Sequence, residues 1–327
     1  MKIFLIGGAG YVGSMLTKNL LEQDYEVSVY DLMIYGQPKI DNKNLTLIKG
    51  DIRDLNHLYK IIESSSFDAI IHLACISNDP SFELNPELGK TINFDCFEPL
   101  IKFIKDHSDV KRFIYASSSS VYGIKKNEEV TENLSLEPLT DYSKYKAMCE
   151  DILQKYSSKD FITTILRPAT VCGYSIRQRL DVIVNILANH AFHYKKMIVN
   201  GGTQKRPNIN IKDMILAYDC ILKSNIDLIN GEVFNVGFEN HSIDKLAKIV
   251  DEAMGGGITI DYKKTNDNRS YHISSKKIST TLGFNPSYDI KESIIGLIEK
   301  FNDKTLVNTF SNSNYFNIKK MMEINLI

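Results

Sequence analysis

The start of the chain constrains its fold more than any other segment. A strand expected at residues 2–6, apolar from Ile3 to Ile6, leads into Gly7-Gly8-Ala9-Gly10-Tyr11-Val12-Gly13, and an amphipathic stretch follows to residue 23. Glycines let a backbone turn tightly and approach a ligand closely. A helix that opens straight out of such a turn offers free amide hydrogens and the positive end of its dipole, which suits a diphosphate. A lone glycine triplet is often just a strand–helix connection. Its place between a strand and a helix makes Gly7, Gly10, Tyr11, Val12 and Gly13 candidates for holding a dinucleotide.

The same rhythm continues. Strands are expected at 26–30, 45–49, 69–74, 112–117 and 163–167, with helices at 55–64, 92–107 and 142–156. Alternating strands and helices predict an α/β fold, a doubly wound parallel sheet of Rossmann type that binds ligands beyond the carboxyl ends of its strands. After Arg167 the pattern weakens. Helices are expected at about 181–193 and 212–222, a loop at Gly201-Gly202, and a strand at 233–236 that returns to the main sheet. The expected division is a dinucleotide-binding domain over 1–170, rejoined by segments within 205–240, and a smaller C-terminal α/β lobe over most of 171–327. The Asn-rich tail from Asp303 contains one apolar helix candidate.

Bulk properties exclude several classes. The 327 residues are 43% hydrophobic, enough for a large core and a smaller lobe. A net charge of −1 with no long run of one sign argues against a nucleic-acid surface or a polybasic membrane patch. No segment reaches the ~20 apolar residues of a membrane helix. The five cysteines, Cys75, Cys96, Cys149, Cys172 and Cys220, lack metal or redox spacing, so reduced thiols, no metal site and a cytoplasmic location are expected.

Asp31 ends the second strand, 18 residues beyond Gly13. An acid at that spacing accepts hydrogen bonds from both ribose hydroxyls and repels a 2′-phosphate, which favours NAD over NADP. Asp51-Ile52 follows the third strand and is a candidate for contacting adenine. Of several Tyr-x-x-x-Lys pairs, only Tyr142/Lys146 opens a convincing helix, and a spacing of four sets both side chains on one face. In isolation, a solvated surface pair would read the same way. A free phenol titrates near ~10, and an adjacent ammonium favours its phenolate. Tyr142 can then take a proton from a substrate hydroxyl while Lys146 holds the nicotinamide ribose. The run Ser117-Ser118-Ser119-Ser120 offers a hydroxyl to orient the substrate oxygen.

With these residues in order, the chain resembles the NAD-dependent epimerase/dehydratase family, extended short-chain dehydrogenase/reductases that act on nucleotide sugars. The resemblance runs from Met1 to about Ile298. It is carried by the glycine turn, Gly50-Asp-Ile-Arg-Asp54, His72-Leu-Ala74, Asn93, Ser117-Ser-Ser-Ser-Val-Tyr-Gly123, Tyr142-x-x-x-Lys146 and Arg167-Pro168. It implies that Ser118 is the catalytic hydroxyl and that Leu73, Ala74 and Asn93 line the cofactor. It further implies that Arg206 and Arg269 grip the substrate diphosphate, with Ser119, Thr170 and Arg179 near the sugar or phosphate and Arg177 a further candidate there. A homodimer through helices 93–107 and 142–156 is also implied.

Departures from the family pattern bear on the reaction. Dehydratases of the family carry Asp-Glu directly after the catalytic hydroxyl. Here Ser119 and Ser120 stand there, and neither is a competent acid or base near neutral pH. The expectation is therefore oxidation at the sugar's 4-position, by a 4-epimerase or a 4-dehydrogenase. The stretches at 76–81 and 177–181 are similar to bacterial capsule or surface-glycan enzymes, among them GDP-heptose 4-dehydrogenases. A non-catalytic dinucleotide sensor on the same fold would have lost the proton-transfer pair, which is intact here.

Overall fold

A computed structural model describes residues 1–265 and 270–326. Twelve strands occur among them. In chain order they are β1 (Lys2–Ile6), β2 (Glu26–Asp31), β3 (Leu45–Lys49), β4 (Ala69–His72), β5 (Arg112–Ala116), β6 (Ile162–Pro168), β7 (Thr170–Cys172), β8 (Lys196–Asn200), β9 (Lys205–Asn210), β10 (Glu232–Val236), β11 (Glu239–Ser242) and β12 (Thr259–Lys263).

Seven strands form one sheet in the order β10-β6-β5-β4-β1-β2-β3, with every neighbouring pair parallel. The order reverses between β1 and β4, so a crevice opens at their carboxyl ends. Helices cover both faces, which explains why Ile3–Ile6 and all of β4 are buried and read as unbroken apolar runs. One face packs Leu16 and Leu20 with Met214 and Tyr218. The other packs Leu58, Leu100, Ile104 and Leu153.

β10 pairs with β6 as the sequence leads one to expect, with Val233 opposite Ile165 and Val236 opposite Pro168. The residues between β6 and β10, with those after β10, build two further small sheets, β11-β9-β7 and β12-β8. These pack with the helices Ile183–Tyr194, Ile243–Ala253 and Ile290–Asn302 around a separate core containing Leu187, Met197, Leu246 and Leu297. Among the described residues no helix is long and apolar enough to cross a membrane.

Most expected elements differ from the observed ones by a residue or two at their ends. The exception is the helix expected at 92–107. It opens as a π turn over Thr91–Asp95 and becomes α-helical only at Phe97–His107. The wide turn lies where Asn93 is drawn sideways: its side chain bonds the Ile76 backbone, and its carbonyl accepts the Cys149 thiol at 3.3 Å. The tail's helix is Asn317–Glu323, and its Met321 is buried in the main core.

Candidate active site

The crevice at the strand reversal is lined by Gly7, Gly10, Tyr11, Val12, Gly13, Asp31, Asp51, Ile52, Leu73, Ala74, Ser118, Ser119, Thr170, Arg179, Tyr142 and Lys146. These are sixteen of the candidates read from the sequence, brought to one cleft from the ends of several strands.

The glycine turn is built for close approach. Gly7 has φ +89°, and a Cβ there would collide with the Ala74 backbone. A Cβ on Gly13 would collide with the Gly7 carbonyl. The helix Tyr11–Glu22 begins at Gly10 with no side-chain cap and no acid in its first turn. Its leading amides therefore keep the polarity an anion needs. Asp31 is half-buried, and desolvation raises its carboxyl, while the Met33 and Ala9 amides it accepts at 2.7 and 3.0 Å work to lower it. A carboxylate accepts about four hydrogen bonds, so each oxygen can still take a ribose hydroxyl. At the cleft's far edge Arg53 holds Asp51 at 2.6 Å and lowers its carboxyl.

The opposite end holds the serine, tyrosine and lysine read from the sequence. Thr140 caps the helix Asp141–Tyr156: its Oγ1 accepts from the Ser143 amide at 3.3 Å and donates to Asp79 at 2.5 Å. This cap sets Tyr142 in the first turn, where it lines the cleft together with Ser118. One turn on, Lys146 is buried, with its Nζ donating to the Ala116 carbonyl at 2.6 Å and 4.8 Å from the Tyr115 ring centroid. Another turn on, Glu150 receives Arg167 through Nε at 3.1 Å and Nη2 at 2.6 Å, and the Ser117 hydroxyl also donates to it. Arg167 continues to Tyr122 at 2.7 Å, and Tyr122 to Asn235 on β10 at 2.8 Å. A buried ion pair thus ties the helix carrying Tyr142 and Lys146 to β5, β6 and β10.

Two described candidates stand outside this lining. Asn93 lies behind the cleft wall, donating to the Ile76 carbonyl at 3.0 Å and accepting from its amide at 2.8 Å, so it shapes the wall from beneath. Arg206, on β9, packs its guanidinium 5.4 Å from the centroid of Tyr271, which itself lines the cleft. Arg269 lies outside the described residues.

Sequence reasoning missed three cleft residues near Tyr142. Cys75 and Asp79 both push its phenol up. Asn78 lies between Asp79 and Ser77, with φ +74° and ψ 156°, a conformation that strains a residue with a side chain. Only the Asn-Asp-Pro turn chemistry at 78–80 hinted at this bend.

A parallel α/β sheet with a glycine turn and a Ser/Tyr/Lys group at its strand reversal defines a dinucleotide-dependent enzyme. Residues 3–237 match the model of the NAD dependent epimerase/dehydratase family, and the chain belongs to that family. NAD is its cofactor. The chain is 28% identical over 321 residues to a UDP-glucose 4-epimerase of Lactobacillus helveticus, covering 92% of this chain and 97% of that one. It is 29% identical over 273 residues to a dTDP-D-glucose 4,6-dehydratase of Dictyostelium discoideum, covering 76% and 61% respectively. Among solved structures, the UDP-glucuronic acid 4-epimerase of Bacillus cereus, in complex with UDP-glucuronic acid and NAD, superposes with a TM-score of 0.81 at 27% identity. That match covers 93% of this chain and 100% of the other.

Proposed function

We infer that this enzyme is a nucleotide-sugar 4-epimerase, oxidising the 4-hydroxyl of the sugar and restoring it with inverted configuration. The observation that carries the reading is the convergence of Tyr142, Lys146 and Ser118 on the cleft that also holds the glycine turn. NAD, when bound, supplies the acceptor for a hydride. In this reading Tyr142 takes the hydroxyl proton, Ser118 orients the substrate oxygen, and Lys146 adds positive charge beside the phenol. Arg206 and Arg269 would grip the substrate's diphosphate, and Thr170 would contact the sugar. Ser119 is buried and the Ser120 hydroxyl lies 2.9 Å from that of Ser118, so neither adds the acid–base pair that loss of water demands.

UDP-glucose, UDP-glucuronic acid and a GDP-linked heptose, each deuterated at C4, test the reading. Label retained with inversion at C4 supports an epimerase. Label passed into free NADH with release of a keto sugar would replace it with a 4-dehydrogenase, and a 4-keto-6-deoxy product with a dehydratase. Tyr142→Phe should still bind NADH and lose turnover by about a thousandfold, the middle of the range a positioned general base supplies.

The reading includes a homodimer packed through the helices Phe97–His107 and Asp141–Tyr156. Met148, 43% exposed, and the Tyr59–Phe103 ring stack give that face apolar surface. Light scattering at micromolar concentration should return twice the chain mass; a monomer would remove this part of the reading.

A further inference from the structure

The loop from Gly173 to Asp181 lies across the glycine turn. Tyr11 donates its phenol to the Gly173 carbonyl at 2.7 Å, the Ser175 hydroxyl donates to the Tyr11 carbonyl at 2.7 Å, and the Arg177 amide donates to Ser14 Oγ at 3.2 Å. This docking carries two guanidinium groups into the cleft. Arg177 and Arg179 are each 8% exposed, and both line the cavity.

Their hydrogen bonds leave donors over. Arg177 stacks 3.4 Å from the Tyr35 ring centroid and gives Nη2 to Asn317 Oδ1 at 2.7 Å, and its Nε is buried without a partner. Arg179 gives Nε to Asp181 at 2.7 Å and Nη1 to Ser77 at 3.1 Å, and its Nη2 is likewise buried without a partner. Burying a charged donor and leaving it unmet is costly, so such groups mark a place for an acceptor. Burial and the neighbouring Arg179 press Arg177 down to about 10, against the pull of Tyr35, Asp181 and Asp31. An anion between the two arginines would relieve that repulsion.

Their place in the cleft identifies the anion. Arg177 stacks on Tyr35, four residues beyond Asp31, at the end suited to the adenosine ribose. Arg179 donates to Ser77, on the cleft wall that runs on to Asn78 and Asp79, toward the end suited to the reacting carbinol. Both reach Tyr11, in the turn between them. In a dinucleotide the diphosphate stands midway between its two nucleosides. We propose that Arg177 and Arg179 hold the diphosphate of the dinucleotide beside the glycine turn, with Asn317 of the C-terminal helix fixing Arg177 in place. Two planar guanidinium forks add to the helix amides as partners for the phosphates. Asn317 completes the enclosure, since its amide also donates to Asp181 at 2.7 Å and its Nδ2 to Ser77 at 3.1 Å, linking both walls of the cleft. Nothing in this inference depends on which sugar is turned over.

A nucleotide sugar also carries a diphosphate, so the test separates the two sources. NADH affinity is read by nicotinamide fluorescence on protein without nucleotide sugar, and UDP affinity by calorimetry on NAD-loaded protein. Arg177→Gln and Arg179→Gln should each weaken NADH at least tenfold and leave UDP within twofold. NADH affinity within twofold of the parent's in both variants, or a tenfold loss confined to UDP, would overturn the proposal. If a glutamine variant fails to fold, Arg177→Lys and Arg179→Lys keep the buried charge while losing the fork. They carry the same test with a threefold threshold. Asn317→Ala should speed NADH release at least threefold in stopped flow, and an unchanged rate would remove the tail from the assignment.

Discussion

Burial pushes the Tyr142 phenol up, and Cys75 and Asp79 push it the same way, while Ser118 and Arg179 pull it down. The phenol proposed as the base therefore sits where a neighbouring carboxylate resists loss of its proton. If Tyr142 is the base, kcat/KM should rise with pH along an acid limb set by that phenol. Asp79→Asn removes the opposing charge and should move the limb to lower pH; a limb that stays put, measured on C4-deuterated and ordinary substrate, would free Tyr142 from that role. The glycines, Asp31, Ser118, Tyr142 and Lys146 were legible because each belongs to a short motif with fixed spacing. Asp79, Asn78 and Arg177 were harder to read. Their roles come from a strained bend and a docked loop, and neither leaves a periodic trace in sequence.

At the scale of elements, the Asp141–Tyr156 helix is fixed in register by Glu150. The Glu150 and Arg167 side chains are 3% and 6% exposed. Glu150→Ala would strand a buried guanidinium and should cost about 3–5 kcal/mol in urea unfolding. Replacing both partners with methionine should recover much of that stability, because the desolvation cost leaves with the pair. β4 gives the second test. His72 ends that strand fully buried among Phe97, Phe113 and Tyr115, with neither ring nitrogen hydrogen-bonded, and burial followed by Lys146 lowers it to about 3. The unfolded chain takes up its proton near 6.5, whereas the folded one refuses it until about 3. Stability should therefore be full above pH 6.5 and fall below it by up to about 1.4 kcal/mol per pH unit from this group. His72→Leu should flatten that slope in urea melts at pH 7.5, 6 and 5. The first-half elements were readable because buried parallel strands spell long apolar runs. β8 and β12 escaped notice because they pair half-exposed, and β9 because Pro207 and the preceding Gly201-Gly202 read as a break.

At the scale of the whole molecule, the chain leaves the main sheet at β6 and rejoins it at β10 only after building β7 to β9. A fragment ending at residue 170 follows the boundary that the fading strand–helix rhythm suggests, yet it lacks β10 and the helix Ile211–Lys223, whose Met214 and Tyr218 fill one face of the sheet. Expressed alone, that fragment should be recovered from the insoluble fraction, and a fragment reaching residue 302 from the soluble one. Recovery of a monodisperse 1–170 fragment would show that the sheet closes without its last strand. The late return of β10 also sets an order of events during synthesis. Until residue 236 has emerged from the ribosome, β6 offers a row of bare amides and carbonyls to any passing strand. The nascent protein spends that interval open to mispairing, and its yield in a crowded cell should depend on how quickly translation carries it past that point.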